Sequence, residues 1–263
     1  MKRVRLLNVE IDNLTLKELL ESMRSGGFVI TPNVDLIMKL QRNYAFFEAY
    51  QAADYRICDS QILMYVARFL GTPFREKICG SDLFPAFYRY YSHDRDMRIF
   101  LLGAADGVAA QAQQNINAKV GREMIVAAHS PSFGFEQDPQ ECAAIIQRIN
   151  ESGATVLAVG LGAPKQELWI TQHRHRLPNI KVFLAIGATI NFEAGSVARA
   201  PQWLSDVGLE WLYRLMCEPQ RLWKRYLGDA MPFFWLILQQ RLRFYRCPWR
   251  QRSNSLPINS TSS

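Results

Sequence analysis

Residues 155–174, which read TVLAVGLGAPKQELWITQHR, decide the fold class of this chain. A short apolar run, a turn with two glycines and a proline, and a helical pattern follow one another here, as they do where a β-strand leads into a helix. Repeated units of this kind build parallel sheets. We therefore predict an α/β fold with a Rossmann-like, mostly parallel sheet flanked by helices. Four other runs show the same order: GFVI (27–30), YRIC (55–58), RIFLLGA (98–104) and VFLAIGATINF (182–192). MIVAAH (124–129) adds a further strand.

The composition predicts a packed globular protein of the cytosol. Of the 263 residues, 49% are hydrophobic and 21% are charged, which is close to globular averages and excludes wholesale disorder. The five cysteines are widely scattered and form no C-x-x-C pair, so we expect reduced thiols and no zinc site. Charges interrupt the apolar residues of the first twenty positions, which is unlike a signal peptide.

The positive charge is concentrated near the C-terminus. Residues 1–210 hold 22 Lys/Arg and 22 Asp/Glu, whereas residues 211–252 hold nine and two and are rich in aromatic rings. We predict an α/β body at 1–210, a basic, amphipathic helical appendage at 211–252 and a disordered tail at 253–263. Cations mixed with aromatic rings favour an anionic membrane surface, on which the apolar run MPFFWLIL (231–238) can lie but which it is too short to span.

Four basic side chains of the appendage are candidates for binding a diphosphate: Arg214, Arg221, Lys224 and Arg225. They fall within about three helical turns, so several could face one pocket. The alternative is a solvated basic helix surface, the usual role of a charge run, but the neutral body of the protein favours binding. Nucleic acid is a rival polyanion. We expect no nucleic-acid partner, because no binding module is recognisable and the cations adjoin an apolar patch.

Ligands of open parallel sheets gather at the carboxyl ends of the strands, so the loops there are the places to look for a site. Residues 31–33, Thr-Pro-Asn, follow one strand and offer a hydroxyl and an amide to a sugar, although Asn33 equally well caps the next helix. Gly103, Gly187 and Asn191 follow other apolar runs and are predicted to line the pocket. For a glycine alone, tight packing is the more common explanation.

Asp59 is the best candidate for a general base. It directly follows the run YRIC and precedes a helical pattern, which places its carboxylate at the ligand-binding edge of the sheet. A carboxylate there can accept the proton of an attacking sugar hydroxyl. N-capping of the next helix is the more common use of an aspartate in this position, so from the residues alone both roles stay open.

The loop GLGAPKQE, with Gly160, Gly162, Pro164 and Lys165, has the chemistry of a phosphate site. Its glycines permit close approach of an anion to backbone N–H groups, the proline suits a first helical position, and the lysine adds a positive charge in the first turn. Because Lys165 takes the place of the third glycine of a dinucleotide fingerprint, and no Walker pattern is present, the loop is suggestive rather than diagnostic.

Seven blocks, taken in order, resemble one known family. They are TPNVDL, the Asp59 turn, CGSDL, GLGAPKQE, IGATINFEAG, RAPQWL and GLEWLYRLMCEPQRLWKRY, and they cover nearly all of residues 5–230. The chain resembles the WecG/TagA/CpsF proteins, glycosyltransferase family 26. GAPKQE and GLEWLYRL carry the strongest part of the likeness.

The resemblance implies an inverting hexosyltransferase that moves a sugar from a UDP-sugar to an undecaprenyl-diphosphate-linked saccharide, on the way to a bacterial exopolysaccharide, teichoic acid or enterobacterial common antigen. N-acetylmannosamine, N-acetylmannosaminuronic acid and glucose are all compatible with the family. By the same resemblance Asp59 is the proposed base, Thr31 and Asn33 line the sugar pocket, Gln166 lies in the active site, and tail arginines hold the diphosphate. The protein is then expected to be cytoplasmic and peripheral on the inner face of the plasma membrane. Self-association into a homo-oligomer is left open.

Three positions depart from the family pattern. Ser60 stands where glycine commonly follows the aspartate, Lys77 where arginine often precedes the CGSDL block, and Asn191 where aspartate is common. Lys77 is expected to bind substrate, but lysine keeps the charge and loses the bidentate fork of arginine. The donor or acceptor preference is therefore left open.

We expect no metal and no cofactor. Asp94-Arg95-Asp96 resembles the D-x-D motif that binds a metal and a nucleotide diphosphate in one class of glycosyltransferases, but it precedes a strand and should form a solvated turn at the opposite edge. The four histidines have no metal-ligand spacing.

Two other functions fit parts of the sequence. A noncatalytic, membrane-associated assembly factor of the same pathway could retain the fold, although an intact Asp59 and a complete GAPKQE loop argue against it. A dinucleotide-dependent oxidoreductase would need the G-x-G-x-x-G motif, which is missing.

Overall fold

The computed structural model describes residues 2–198, the single residues 204 and 213, and 219–249, with only the helical main chain given over 219–227. Eight strands lie in this part of the chain: β1 (Arg3–Leu6), β2 (Val9–Asp12), β3 (Gly27–Ile30), β4 (Tyr55–Arg56), β5 (Ile99–Gly103), β6 (Ile125–His129), β7 (Val156–Gly160) and β8 (Val182–Ala185). Six of them form one parallel sheet in the order β4-β3-β8-β7-β5-β6, and β1 and β2 form a separate antiparallel hairpin. The predicted parallel sheet is confirmed.

Ten α-helices lie in the same described residues. They are α1 (Leu16–Ser22), α2 (Val34–Leu40), α3 (Tyr44–Gln51), α4 (Gln61–Phe69), α5 (Gly80–Tyr90), α6 (Val108–Val120), α7 (Pro139–Glu151), α8 (Lys165–His173), α9 (Thr189–Ala194) and α10 (Pro219–Arg241). Short polar side chains begin several of them. Thr15 forms a capping box with Glu18 at α1, and Asp138 caps α7 just before a proline at its first position.

The central strands β3, β5, β7 and β8 are buried on both faces, which explains why their sequences read as continuous apolar runs. In β5, Phe100 and Leu102 face one hydrophobic cluster, while Ile99 and Leu101 face the other. All four side chains are fully buried. The alternation follows from the two-residue period of a strand.

Helices cover the two faces of the sheet unequally. The buried side chains of α2, α3, α4, α7 and α8 join one cluster, and those of α1, α5, α6 and α9 join the other. The helix after β7, α8, therefore lies on one face of the sheet. The helices after its two neighbours, α9 after β8 and α6 after β5, lie on the other face. Such a divergence opens a crevice at the carboxyl edge of a parallel sheet.

The N-terminal hairpin is joined to the β4 edge of the sheet by a buried carboxylate. Asp12 accepts a hydrogen bond from the backbone N–H of Arg56 at 2.9 Å and one from Nε of Arg3 at 3.0 Å. A bridge between Asp12 and Ile57 continues the contact in parallel orientation. Charged and apolar residues alternate in both strands, as in a half-buried strand, but nothing in the sequence indicates that the hairpin contacts β4.

The C-terminal helix is present as predicted, and its described part packs on the body of the protein. Phe233 and Ile237 are buried in the same cluster as α2. The side chain of Gln240 binds the hairpin main chain, and Trp249 donates from Nε1 to the carbonyl oxygen of Leu40 at 2.8 Å. Within the described residues, no helix is long and apolar enough to cross a membrane.

Candidate active site

The carboxyl ends of β3 and β4 bring Asp59 next to the Thr31 loop. The backbone N–H of Asp59 donates to the carbonyl oxygen of Pro32 at 3.0 Å. The start of α5 completes this corner, because a Cβ on Gly80 would lie 3.5 Å from Oγ1 of Thr31 and 3.7 Å from the carbonyl oxygen of Ile186. Three of the sequence blocks, TPNVDL, the Asp59 turn and CGSDL, therefore meet at one point on the predicted edge.

The N-cap of α4 is Ser60, not Asp59. The hydroxyl of Ser60 accepts from the backbone N–H of Leu63 at 3.4 Å. The capping alternative for Asp59 is therefore wrong, and its half-buried side chain lies at this edge of the sheet. Serine at position 60, where the family commonly has glycine, thus supplies the cap.

The segment before α5 lies beside the Asp59 turn, because the backbone N–H of Ile78 donates to the carbonyl oxygen of Cys58 at 2.8 Å. Lys77 and Asp59 are therefore the chain neighbours of two hydrogen-bonded residues. Burial is the main cause that raises the pKa of the Cys58 thiol to about 12; the negative charge of Asp59 contributes to this rise, while the contact with the main chain of Ser60 and the positive charge of Lys77 oppose it. Burial is also the main cause that raises the pKa of the Cys79 thiol, and Asp59 again contributes.

Asn33 caps α2, as one of its two predicted roles requires. Its Oδ1 accepts from the backbone N–H of Leu36 at 3.0 Å. The cap fixes the side chain beside the half-buried Thr31. Contact of either side chain with a sugar stays a prediction.

Gln166 ties the loops after β7 and β8 together. Its Oε1 accepts from the backbone N–H of Gly162 at 3.2 Å and from that of Gly187 at 3.1 Å, and the side chain is only 5% exposed. We call these two bonds the Gln166 clasp. The N–H of Gly162, expected to point at a phosphate, is therefore engaged inside the protein.

Glu167 stands behind the clasp. It is 1% exposed, and its Oε1 accepts from Nε2 of Gln166 at 2.8 Å. Within the described residues its Oε2 has no hydrogen-bond partner. Burial raises the pKa of this carboxyl to about 7, with a smaller lowering from Lys39 and a raising from Asp35. The sequence does not single out Glu167, because nothing in GAPKQE indicates which of its polar side chains is buried.

Lys39 of α2 also binds the loop between β7 and α8. Its ammonium donates to the carbonyl oxygen of Ala163 at 3.0 Å and pairs with Asp35 at 3.0 Å. The peptide bond that follows Ala163 is cis. The sequence predicts Pro164 at the first helical position, but α8 begins at Lys165 and Pro164 is its N-cap. The loop is thus held from α2 as well as by its own Gln166.

Lys165 is paired with an acidic residue of another loop. Its ammonium contacts Glu136 in the connection after β6 and lies 5.0 Å from the ring centre of Phe133. The hydrogen bond from Lys165 is the main cause that lowers the pKa of Glu136. A phosphate-binding role for Lys165 stays a prediction, and it requires this ion pair to open or to be shared.

Two glycines pack the strand ends tightly together. A Cβ on Gly103 would lie 2.6 Å from the carbonyl oxygen of Gly160, and a Cβ on Gly160 would lie 2.7 Å from that of Gly187 and 2.7 Å from Cδ1 of Ile190. Gly103 also has a φ of +126°. The common packing explanation is therefore confirmed for Gly103, and Gly160 is packed in the same way, whereas a Cβ on Gly187 would meet nothing within 4 Å. Asn191 lies in the first turn of α9, half-buried, where the loop after β8 ends.

The D-x-D motif lies at the opposite edge of the sheet, as predicted. Asp94 and Asp96 precede β5 and line a groove of about 620 Å³ together with Arg24, Arg95 and Lys181, among others. The groove mixes both signs of charge and contains none of the predicted site residues. No cluster of three metal-ligating side chains occurs in the residues that the structure describes. The D-x-D motif therefore lies away from the predicted site residues.

The predicted diphosphate cations of the appendage are beyond what the structure describes. Arg214 lies outside the described residues, and Arg221, Lys224 and Arg225 lie in α10 where only the main chain is given. Further along α10, large apolar side chains are exposed on the side away from Phe233. They are Met231, Phe234, Trp235 and Leu238, and the exposed Leu242 and Phe244 follow the helix.

Comparison with known proteins identifies the family. The model of the "Glycosyl transferase WecG/TagA/CpsF family" matches residues 4–247. A relative from Bacillus spizizenii (strain ATCC 23059 / NRRL B-14472 / W23), an N-acetylglucosaminyldiphosphoundecaprenol N-acetyl-beta-D-mannosaminyltransferase, is 30% identical over 204 residues, 77% of this chain and 76% of its own. A protein of the same name from Staphylococcus aureus (strain MRSA252) is 26% identical over 231 residues, 85% of this chain and 86% of its own. Since the family model spans the sheet, the clasp and most of the C-terminal segment, this chain belongs to the WecG/TagA/CpsF family and is a glycosyltransferase.

Proposed function

We propose that the protein transfers a sugar from a UDP-sugar to a saccharide linked to undecaprenyl diphosphate, with inversion at the anomeric carbon. The observation that carries this proposal is the position of Asp59 at the carboxyl edge beside Thr31, with the N-cap of α4 supplied by Ser60 instead. The names of the relatives favour N-acetylmannosamine as the transferred sugar and N-acetylglucosamine as the acceptor sugar. N-acetylmannosaminuronic acid and glucose are the other candidates.

In the proposed mechanism, the carboxylate of Asp59 accepts the proton of the acceptor hydroxyl as its oxygen attacks the anomeric carbon. The bond to the UDP oxygen breaks on the opposite face, which gives inversion. The developing charge on the diphosphate is stabilised by backbone N–H groups at helix starts and by cations. Lys77, whose segment lies beside the Asp59 turn, is one such cation.

We propose that this chemistry needs no metal ion. The only D-x-D motif in the sequence, residues 94–96, belongs to a turn before β5, at the edge away from Asp59. Helix dipoles and cations would then do what a divalent ion does in other transferases. Chelation with EDTA should leave the rate unchanged, and a strict requirement for added metal would contradict this part of the proposal.

We also propose that the protein works on the cytoplasmic face of the plasma membrane as a peripheral protein. The exposed apolar face of α10 is followed by the exposed cations Arg243 and Arg246, and Arg241 lies over the ring of Phe69 at the end of α4. Apolar rings flanked by cations suit an anionic headgroup layer. Such a position would bring the carboxyl edge close to a lipid-linked acceptor.

The test is UDP release from a panel of UDP-sugars in the presence of a synthetic polyprenyl-diphosphate sugar. The native protein should release UDP only with acceptor, and Asp59→Asn should lose about 10²-fold or more of kcat, as expected for loss of a general base. Asp96→Asn is the matched control, because it removes an exposed aspartate at the opposite edge. It should retain native activity. Equal release by Asp59→Asn and the native protein would remove Asp59 as the base, and no acceptor-dependent release with any donor of the panel would contradict the proposed reaction.

A further inference from the structure

The amide of Gln166 has only one orientation that fits its surroundings. Its oxygen faces two backbone donors, the N–H groups of Gly162 and Gly187, and its nitrogen faces Oε1 of Glu167. If the amide were turned over, its NH₂ group would point at two donors and its oxygen at a carboxyl oxygen. The acceptor on Glu167 therefore selects the orientation in which the clasp can form.

The position of Glu167 has a cost that its local packing does not explain. The side chain is fully buried, and one of its two oxygens has no partner among the described residues. Leaving a buried polar atom without a hydrogen bond is unfavourable, because nothing compensates for its removal from water. An apolar side chain in this place would avoid the cost, so the carboxyl must serve something other than packing.

The clasp spans the crevice between two strands whose helices diverge. Gly162 lies after β7, which leads to α8 on one face, and Gly187 lies after β8, which leads to α9 on the other. One oxygen of Gln166 holds both loops at hydrogen-bond distance. The spacing of the crevice therefore depends on where that oxygen points.

We propose that Glu167 is a positioning residue that fixes the amide of Gln166, so that the clasp sets the spacing of the two loops that receive the nucleotide diphosphate of the donor. The inference rests on the proposed function, and it assigns to Glu167 a task that does not involve contact with substrate. The charged groups that face Glu167 are Lys39 and Asp35 of α2, which pair with each other, while Lys39 also holds the loop at Ala163. Lys39 thereby stabilises the loop through a contact that does not involve Gln166, and Asp35 pairs with Lys39.

The first experiment measures hydrogen exchange at the amides of Gly162 and Gly187 by NMR, with the amide of Leu157 in β7 as an internal reference for global opening. Glu167→Leu removes the acceptor, and exchange at both glycines should accelerate roughly tenfold or more relative to Leu157, since the hydrogen bond that orients the Gln166 amide is lost. Glu167→Gln keeps an amide oxygen that can accept from Gln166. It should retain most of the native protection.

A control separates the clasp from general damage to α8. Trp169→Phe alters the packing of the same helix, because Trp169 is buried two positions after Glu167 but has no part in the clasp. It should leave the ratio of glycine to Leu157 exchange unchanged. Native protection of Gly162 and Gly187 in Glu167→Leu, or the same loss in Trp169→Phe, would overturn the proposal.

A swap of the two side chains provides a second test. Gln166→Glu alone places two carboxyl groups against each other and should weaken the clasp. Adding Glu167→Gln to it restores one donor and one acceptor at that contact and should return the protection of both glycines. A double variant that is no better than Gln166→Glu would contradict the assigned orientation of the amide.

The kinetic consequence distinguishes positioning from mere stability. Glu167→Leu should raise the KM for the UDP-sugar roughly tenfold, with a smaller effect on the KM for the lipid-linked acceptor, and Glu167→Gln should restore it. Equal effects on both KM values would overturn the role in donor binding. If the native protein transfers no sugar, the proposed function fails, whereas the exchange measurements still decide whether Glu167 controls the clasp.

Discussion

Replacing Glu167 by glutamine should change how the stability of the protein depends on pH. The carboxyl is fully buried, and burial raises its pKa from the ordinary value of 4.5 to about 7. Below pH 4.5 the carboxyl is neutral in both the folded and the unfolded chain. Between about pH 4.5 and 7 the unfolded chain releases its proton while the folded protein keeps it, so the free energy of unfolding falls as the pH rises.

The magnitude follows from the two pKa values. A tenfold change in proton affinity corresponds to about 1.4 kcal/mol, so this carboxyl alone should lower the free energy of unfolding by roughly 2–3 kcal/mol between pH 5 and pH 8. Above pH 8 it should contribute little further change, because it is then ionised in both states. Glutamine cannot ionise, so Glu167→Gln should not show this loss.

The assay is urea unfolding of the native protein and Glu167→Gln at half-unit steps from pH 5 to pH 8, at constant ionic strength. The difference in unfolding free energy between the two proteins should shift by roughly 2–3 kcal/mol across the range, in favour of the variant at high pH. Glu48→Gln, which changes an exposed glutamate on α3, is the matched control and should give a curve parallel to the native one. If the Glu167→Gln curve also stays parallel within about 0.5 kcal/mol, the carboxyl is not held neutral by burial and the reasoning is refuted.

Three further outcomes are expected. Gly103→Ala should lower the free energy of unfolding by more than about 1 kcal/mol in urea titrations, because its Cβ would meet the carbonyl oxygen of Gly160 at 2.6 Å in a backbone with φ of +126°; native stability would show that the strand ends can separate. Ser60→Ala should cost about 1 kcal/mol in the same assay by removing the cap of α4, and Ser60→Asp, which restores a cap, should recover most of it. Replacing both Phe234 and Trp235 by serine should weaken binding to anionic vesicles by roughly tenfold or more. The unfolding free energy should change by less than about 1 kcal/mol, since both rings are at least half exposed. Unchanged cosedimentation with vesicles would exclude this face as the membrane contact.

The sheet was predictable because burial on both faces leaves a strong sequence signal. GFVI, the VLAVG run and MIVAAH correspond to β3, β7 and β6 within a residue or two. YRIC gives the weakest match, since β4 covers only Tyr55 and Arg56 before the chain turns toward Asp59. An edge strand needs few residues, and its short pairing with β3 is enough to place Asp59 at the carboxyl edge.

Contacts between distant loops were not predictable from the sequence. Lys165 was expected to offer its charge to a phosphate, but it pairs with Glu136, which precedes it by 29 positions and comes from the loop after β6. β6 and β7 are separated in the sheet by β5, so only the strand order brings the two side chains together. The hairpin was missed for a related reason, because its buried Asp12 is satisfied by the main chain of Arg56 rather than by a local partner.

The strand order also explains how one edge of the sheet could hold the base, the sugar and the diphosphate side by side. Asp59 follows β4, Thr31 and Asn33 follow β3, and the clasp joins the loops of β8 and β7, in the spatial order β4-β3-β8-β7. Adjacent strands lie about 4.8 Å apart, so the end of β3 separates the carboxylate from the β8 loop by about 10 Å across the edge. A donor whose diphosphate lies at the β7–β8 crevice would then present its sugar over Thr31 and its anomeric carbon toward Asp59. On this geometry a change in the clasp would shift the donor along the edge and alter its distance from the base. Glu167 does not contact the reacting groups, but its replacement should therefore affect the KM for the donor more than the KM for the acceptor.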